Sequence, residues 1–293
     1  MTAKKTLSQF QQECEEAAIQ LALREDIFDG DITTEATVSK SHKSKGLIRA
    51  KSAGVLAGLR VAKLVLAKAE RPVKIKVYKK DGDLVEPGDL IAEVTGFTET
   101  LLKYERTILN FMQRMSGIAT EARRYSDQIR HTSARILDTR KTVPGLRFFD
   151  KEAVKFGGGL NHRIGLYDMV LIKDNHVDAA GSVTAAIDLA KKYCKENKRK
   201  VKIEVEVRTM AELQEALPAK PDIILIDNFS PSELKKAVTV AHQTNPKILL
   251  EASGGVTMQS LKKIAESGVD FISVGALTHS VTAMDISMKI QAL

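Results

Sequence analysis

The chain contains no tryptophan, and its five tyrosines and nine phenylalanines leave aromatics at 5% of 293 residues. A base-stacking platform for single-stranded nucleic acid therefore has little material. Only two cysteines occur, Cys14 and Cys194. That excludes a disulfide framework and any zinc site built of several cysteines, and it suits a reducing interior. The six histidines show neither His-x-x-x-His nor His-Glu-x-x-His spacing, so a zinc centre of that kind is not expected. Gly-x-Gly-x-x-Gly and Gly-x-x-x-x-Gly-Lys-Ser/Thr are both missing, and with them the dinucleotide and P-loop fingerprints. Pure aliphatic runs such as Ile223-Ile-Leu-Ile226 stop well short of the roughly 20 residues a membrane span needs. The start, Met1-Thr-Ala-Lys-Lys-Thr-Leu, leads to Glu13, Glu15 and Glu16 and not to an apolar run. The expectation is a soluble, cytoplasmic protein with no membrane partner.

What is present is a foldable composition with a cationic excess: 43% hydrophobic, 28% charged, net charge +8. One large domain or two ordinary ones fit this length. The charge favours anionic partners such as nucleic acid, an acidic membrane surface or phosphorylated small molecules.

Residues 7–24 show helical spacing, and Asp26 to Glu35 reads as an irregular loop. Strands broken by Gly54 and Gly58 are expected over 45–59, then a helix over about 59–70. Val73-Lys-Ile-Lys-Val-Tyr78 alternates strictly, and Leu90-Ile-Ala-Glu-Val94 follows the turns at Asp81-Gly82 and Pro87-Gly88. Residues 98–130 carry the longest helical stripe: Leu101, Leu102, Ile108, Leu109, Met112 and Met115. Arg106 and Asn110 lie off it, and Gly117 reads as a hinge dividing two helices. This predicts an N-terminal α+β domain over residues 1–117, joined by a final helix within 279–293, and a second domain over 118–278.

In that second part, β-rich runs at 135–137, 169–172, 201–207, 223–226, 248–250 and 271–274 alternate with helix-length gaps. Six such units imply a parallel sheet, as an open doubly wound sheet or a barrel. Each run ends in polar or glycine residues: Asp138-Thr-Arg-Lys141, Lys173-Asp-Asn-His176, Glu206 with Arg208, Asp227-Asn228, Glu251-Ala-Ser-Gly-Gly255, and Gly275-Ala-Leu-Thr278. Active sites of parallel α/β folds lie at those ends. Any one residue there could be a solvated loop group, and Asp227-Asn228 could simply cap a helix. Ser253-Gly254-Gly255 is either an ordinary turn or, with Gly275-Ala276, a phosphate cradle. Glu206 and Asp227 suit a hard cation such as Mg²⁺, or an ion pair with a nearby Lys or Arg. Residues 120–163 hold ten Lys/Arg against five Asp/Glu, a net +5 that coincides with a triple-glycine loop running into His162-Arg163. Arginines there fit carboxylate or phosphate recognition.

These ordered motifs resemble the quinolinate phosphoribosyltransferase family: Leu23-Arg-Glu-Asp26, Gly30-Asp-Ile-Thr33, Glu105-Arg-Thr-Ile-Leu-Asn110, Asp138-Thr-Arg-Lys-Thr-x-Pro-Gly-Leu-Arg147, Gly158-Gly-x-x-Asn-His-Arg163, Ile172-Lys-Asp-Asn-His176, Glu204-Val-Glu-Val207, Leu225-x-Asp-Asn-Phe229 and Glu251-Ala-Ser-Gly-Gly255. The resemblance runs from about residue 18 to the end. It implies an α/β fold: an N-terminal α/β sandwich plus an incomplete α/β barrel of about six strands. It implies a glycosyltransferase of NAD biosynthesis that joins quinolinate to 5-phosphoribosyl-1-diphosphate with Mg²⁺, giving nicotinate mononucleotide, diphosphate and CO₂. Arg140, His162, Arg163 and Lys173 would surround the quinolinate carboxylates. Arg106 would reach a neighbouring subunit's site, making a homodimer or higher homo-oligomer. Lys141 would serve the diphosphate side, and Thr139 would bind substrate beside it. Glu206 and Asp227 would hold the ribose hydroxyls and Mg²⁺, largely through the bound diphosphate substrate. Ser253, Gly254, Gly255, Gly275 and Ala276 would hold the 5′-phosphate. Lys141, Lys173, Glu206 and Asp227 are the expected catalytic groups, with no organic cofactor. The competing expectations are a paralogue acting on another pyridine-like acceptor, and a basic nucleic-acid-binding protein, which the scarcity of aromatics disfavours.

Overall fold

A computed structural model describes residues 6–293. Thr6 opens the first helix with a capping box, accepting from the Gln9 amide at 3.2 Å while the Gln9 side chain accepts from the Thr6 amide at 2.9 Å. In chain order the elements are α1 (Leu7–Ile27), α2 (Ile32–Thr37), β1 (Lys43–Ala50), β2 (Gly54–Val55), α3 (Leu59–Leu66), β3 (Lys74–Val77), β4 (Leu84–Val85), β5 (Leu90–Phe97) and α4 (Thr98–Gln128). There follow β6 (Arg135–Leu137), α5 (Arg147–Phe156), β7 (Val170–Ile172), α6 (Asp174–Ala180), α7 (Val183–Glu196), β8 (Ile203–Val207), α8 (Met210–Ala219) and β9 (Ile223–Asp227). The chain ends with α9 (Pro231–Thr244), β10 (Leu249–Ser253), α10 (Met258–Ala265), β11 (Phe271–Ser273), α11 (Ala276–His279) and β12 (Ile286–Ala292). These elements form two compact units. One holds the residues up to Arg123, Thr142–Gly158 and Ala276–Leu293; the other holds Arg124–Lys141 and Gly159–Gly275.

The first unit contains an antiparallel sheet in the order β12-β1-β5-β3. Three expectations are corrected here. The final segment is a strand and not a helix: it pairs with β1 from Ser44↔Ala292 to Ala50↔Ile286. Ile286 and Met288 are buried while Ser287 and Lys289 are more open, a period of two that the i,i+4 pair Ile286 and Ile290 disguises. Gly117 does not divide a helix, since α4 runs unbroken for 31 residues. A Cβ at Gly117 would stand 2.1 Å from the Thr282 carbonyl oxygen, so glycine there permits close backbone approach. The stretch Asp26 to Glu35 is largely helical, because Asp31 caps α2 by accepting from the Thr34 amide at 3.0 Å. Most of the stripe expected on α4 is present: Leu101, Ile108, Leu109, Met112 and Met115 are buried, while Leu102 is half-buried. From the segment Thr142–Gly158, α5 also belongs to this unit, with Phe149 against Phe111 at 5.0 Å between ring centroids.

The second unit is built on a six-stranded parallel sheet in the order β6-β11-β10-β9-β8-β7. Its first and second strands, β6 and β7, lie at opposite edges, as they do in an α/β barrel lacking closure. Residues paired across parallel strands share a face, and faces alternate along each strand. The register therefore sorts the side chains. Glu204 pairs with Ile223, Glu206 with Leu225, Leu225 with Glu251, Asp227 with Ser253 and Leu137 with Ser273. One face thus collects Glu204, Glu206, Asp227, Glu251, Ser253 and Ser273. The other carries Val205, Val207, Ile224, Ile226, Leu250, Ala252 and Ile272, all buried, with α7 and α8 packed on β8. Apolar burial on that side holds the sheet and leaves the polar side for chemistry.

Candidate active site

Glycine and charge gather where the polar face meets the carboxyl ends of the strands. Beyond β6, the fully buried Asp138 accepts from the His162 amide at 2.9 Å and from Asn161 Nδ2 at 2.5 Å. This pins the loop after the triple glycine to the end of β6. Thr139 Oγ1 accepts from the Lys141 amide at 3.1 Å, leaving Lys141 exposed and Arg140 half-buried. Burial first, and the Arg140 charge second, lower the Arg163 pKa from its ordinary value. Two guanidinium groups held near each other form a natural anion receptor.

Lys173 follows β7 and donates from Nζ to Glu206 Oε2 at 2.9 Å. His162 Nε2 lies 3.0 Å from Glu204 Oε2 and 3.5 Å from Glu251 Oε2. Ser273 Oγ donates to Glu251 Oε1 at 2.5 Å. Glu204 Oε1 and Glu251 Oε2 are buried without a hydrogen-bond donor. Desolvation raises Glu204 to about 7, against the opposing pull of Glu251, Arg163 and Lys173. Desolvation and the neighbouring Glu204 charge raise Glu251 to about 8. Two adjacent buried carboxylates cannot both ionise cheaply, so the pair retains a proton near neutrality.

The β9 and β10 ends form a second cluster. Asn228 has φ +58° and donates its amide to the Ser253 carbonyl at 2.9 Å, while its Nδ2 donates to Asp227 Oδ2 at 2.6 Å. Gly254 has φ +90°, and a Cβ there would fall 2.1 Å from Asn228 Oδ1. Only glycine fits, for backbone and for space. Gly255 also has positive φ, at +56°. Gly275 follows β11.

Thus Thr139, Arg140, Lys141, His162, Arg163, Lys173, Glu206, Asp227, Ser253, Gly254, Gly255 and Gly275 all sit in the second unit at or just beyond strand ends or in the glycine loop. Arg106, exposed on α4, and Ala276, the first residue of α11, belong to the first unit. Asp138, Glu204 and Glu251 were not singled out as site residues from sequence. The signal for Glu204 was available: Ile203-Glu-Val-Glu-Val207 alternates, so Glu204 must share the face of Glu206.

Residues 31–116 match the family described as quinolinate phosphoribosyl transferase, N-terminal domain, and residues 118–289 match its C-terminal domain. The chain belongs to the quinolinate phosphoribosyltransferase family. It is 44% identical over 288 residues to the decarboxylating quinolinate phosphoribosyltransferase 2a, mitochondrial, of Nicotiana tabacum, covering 93% of this chain and 81% of that one. It is 42% identical over 266 residues to a probable carboxylating nicotinate-nucleotide pyrophosphorylase of Bacillus subtilis, covering 91% and 90%. The crystal structure of NadC from Streptococcus pyogenes superposes with a TM-score of 0.89 at 38% identity, over 99% of this chain and 100% of that one. The fold is accordingly α/β with an incomplete barrel. No described helix is long and apolar enough to cross a membrane.

Proposed function

We propose that the polar face of the parallel sheet is where this phosphoribosyltransferase binds quinolinate and 5-phosphoribosyl-1-diphosphate. The chain is a pentosyl-transferring enzyme of NAD biosynthesis of the decarboxylating type. The ring nitrogen of quinolinate displaces diphosphate from the anomeric carbon, and the 2-carboxylate leaves as CO₂, giving nicotinate mononucleotide. The observation that carries the site assignment is the meeting of Arg140, Arg163 and Lys173 with Glu206 around one sheet face.

Each group has work suited to its chemistry. Quinolinate has two adjacent carboxylates, whose repulsion the Arg140, Arg163 and Lys173 cations offset. Arg106 of a second subunit would add a further cation, which makes the working enzyme at least a homodimer. Displacement at the anomeric carbon develops positive charge on the sugar, and Glu206 or Asp227 stabilises it. Lys141 stabilises the departing diphosphate. Ser253, Gly254, Gly255, Gly275 and Ala276 present hydroxyl and backbone donors to the 5′-phosphate, as turns with positive φ readily do. After ribosylation the cationic ring nitrogen stabilises the electron pair left on C2 when CO₂ departs, and a proton then takes the place of the carboxylate, so the protein positions and neutralises and no organic cofactor is required.

The donor set also fits Mg²⁺. Glu206 and Asp227 end neighbouring strands and offer hard carboxylate oxygens, one already paired with a cation and the other half-buried. They would hold the ion together with the bound diphosphate. Mg²⁺ supplies neutralisation of the diphosphate charge. Both cysteines are free thiols, in keeping with a cytoplasmic location.

The test uses quinolinate or nicotinate with the phosphoribosyl donor, with and without Mg²⁺, and reads nicotinate mononucleotide and CO₂. Product from nicotinate alone would sink the two-carboxylate pocket. For the shared site, Arg106→Ala and Lys173→Ala proteins, each inactive, should regain activity when mixed and reassembled. Verified subunit exchange without recovery would refute the contribution across subunits.

A further inference from the structure

The amino ends of the parallel strands, opposite the polar carboxyl ends, have a charge pattern of their own. Residues 191–202 hold seven Lys/Arg and one Glu, a net +6 in a chain whose total is +8. Three loops deliver cations to this end. Lys198, Arg199, Lys200 and Lys202 precede β8, Lys220 precedes β9 and Lys247 precedes β10. These strands are parallel neighbours in the order β10-β9-β8, so the three loops share one end of the sheet. All six residues are exposed, and none forms an ion pair among the described residues. Acids at this end are spent on the fold. Asp222 accepts from the Ile203 amide at 2.7 Å, and Asp270 from the Leu250 amide at 2.8 Å. Like charges gathered without counter-charges repel one another, so the cluster opposes folding.

The backbone points the same way. Lys198 follows the Asn197 cap of α7 with φ +52°, and Lys220 caps α8 with φ +50°. Both hold the left-handed conformation that glycine or asparagine ordinarily takes at a helix end. The Arg199 amide closes the α7 turn on the Cys194 carbonyl at 2.8 Å. The end of α8 is already met by Lys191, whose Nζ donates to the Ala219 carbonyl. Two packed helices thus end on lysine where glycine would be less strained.

Such a surface calls for a polyanion, and its composition selects among them. Residues 197–202, 219–222 and 245–248 contain no aromatic. The loops therefore lack both the stacking platform of a single-strand binder and the Tyr or Trp anchors of a membrane-interface surface. One of the six cations is arginine, whose bidentate fork is the residue of choice for phosphate. The cations come from three separate loops and not from one helix or stripe that would track a duplex. Lysine ammonium groups on flexible stems suit single carboxylates spaced along an extended chain.

We propose that the amino end of the parallel sheet is a docking surface for an acidic polypeptide segment, rich in Asp and Glu, on a partner protein. The proposal does not rest on the catalytic assignment.

Binding of a labelled polyglutamate chain to the full-length enzyme tests it, at about 0.15 M salt, where exposed charges more than about 8 Å apart are largely screened. Lys198→Gly with Lys220→Gly removes two charges and relieves both left-handed turns. It should weaken binding about fivefold, the scale of two exposed ion pairs. Its melting temperature should be unchanged or higher, so lost binding cannot come from unfolding. Adding Lys200→Gln and Lys202→Gln should bring the loss to about thirtyfold. A control with Lys74→Gln, Lys76→Gln, Lys235→Gln and Lys236→Gln removes the same charge elsewhere and should cost less than about twofold. Equal losses in the two fourfold variants would reduce the effect to net charge and overturn the proposal, as would no binding at this salt. Tighter, patch-dependent binding of duplex DNA or of phosphatidylserine vesicles would also overturn it, by assigning the surface to phosphate.

Discussion

Both units bury charge, but on different terms. In the first, buried charges are met by opposite partners. Arg114 forks onto the fully buried Asp150 at 2.9 and 2.8 Å. Arg60 binds Glu152 at 2.8 and 2.9 Å and Glu15 at 2.8 and 3.0 Å. Burial alone would lower the Arg60 pKa, but these bonds hold it above its ordinary value. In the second unit, like charges crowd: two carboxyls meet at Glu204 and Glu251, and two guanidiniums at Arg140 and Arg163. The first arrangement closes its electrostatics within the fold. The second leaves them to be completed by an anionic substrate, at some cost to stability. Stability and activity should therefore respond oppositely in the two units.

The largest effect is expected where an internal pair is broken. Arg114→Met strands Asp150 without a counter-charge and should cost about 3–5 kcal/mol, read by denaturant unfolding. Adding Asp150→Leu should restore much of it; a single variant of unchanged stability would erase the contrast. Lys173→Met should do the reverse, lowering kcat about a hundredfold or more while stability stays within about 0.5 kcal/mol. Equal damage to both would make Lys173 a structural residue. Gly254→Ala is intermediate, costing about 1–3 kcal/mol through its φ and its clash with Asn228, and it should raise KM for the phosphoribosyl donor more than for quinolinate. An unchanged donor KM would separate this turn from the phosphate.

The mildest effect is on pH dependence. Glu204 and Glu251 titrate higher folded than unfolded, at about 7 and about 8 against an ordinary value of 4.5. The native state binds the extra protons, so this contribution to stability is full below about pH 4.5 and is lost as pH rises through 7 to 8. Glu251→Gln should flatten that decline in a pH series of thermal unfolding. A decline as steep as the parent's would assign it to other groups.

Local periodicity made most elements legible. The α4 stripe, the alternation of β3 and the six strand-plus-polar-end units are written in spacing, because helices and strands repeat side-chain direction every 3.6 and 2 residues. The failures lie where spacing was ambiguous or a residue had two uses. Ile286 and Ile290, four residues apart, share one face in a helix and in a strand alike, and only pairing with β1 decides. Gly117 looks like a breaker until the backbone of Thr282 is placed against it. Asp31 and its neighbouring threonines serve turns and helix caps alike, so the loop expected there became α2.

The family, the six polar strand ends, the excess of cations near the glycine loop and the lack of cysteines for disulfide or cysteine-rich metal chemistry are all written along the chain. These are local patterns, and local chemistry suffices to read them. It took the folded chain to decide that β12 completes the first sheet, that Glu204 and Glu251 meet beneath His162, and that Asn228 closes on Gly254. Those residues lie far apart along the chain, and only the sheet register brings them together. A proton's position depends on which neighbours arrive, and no spacing rule carries that information.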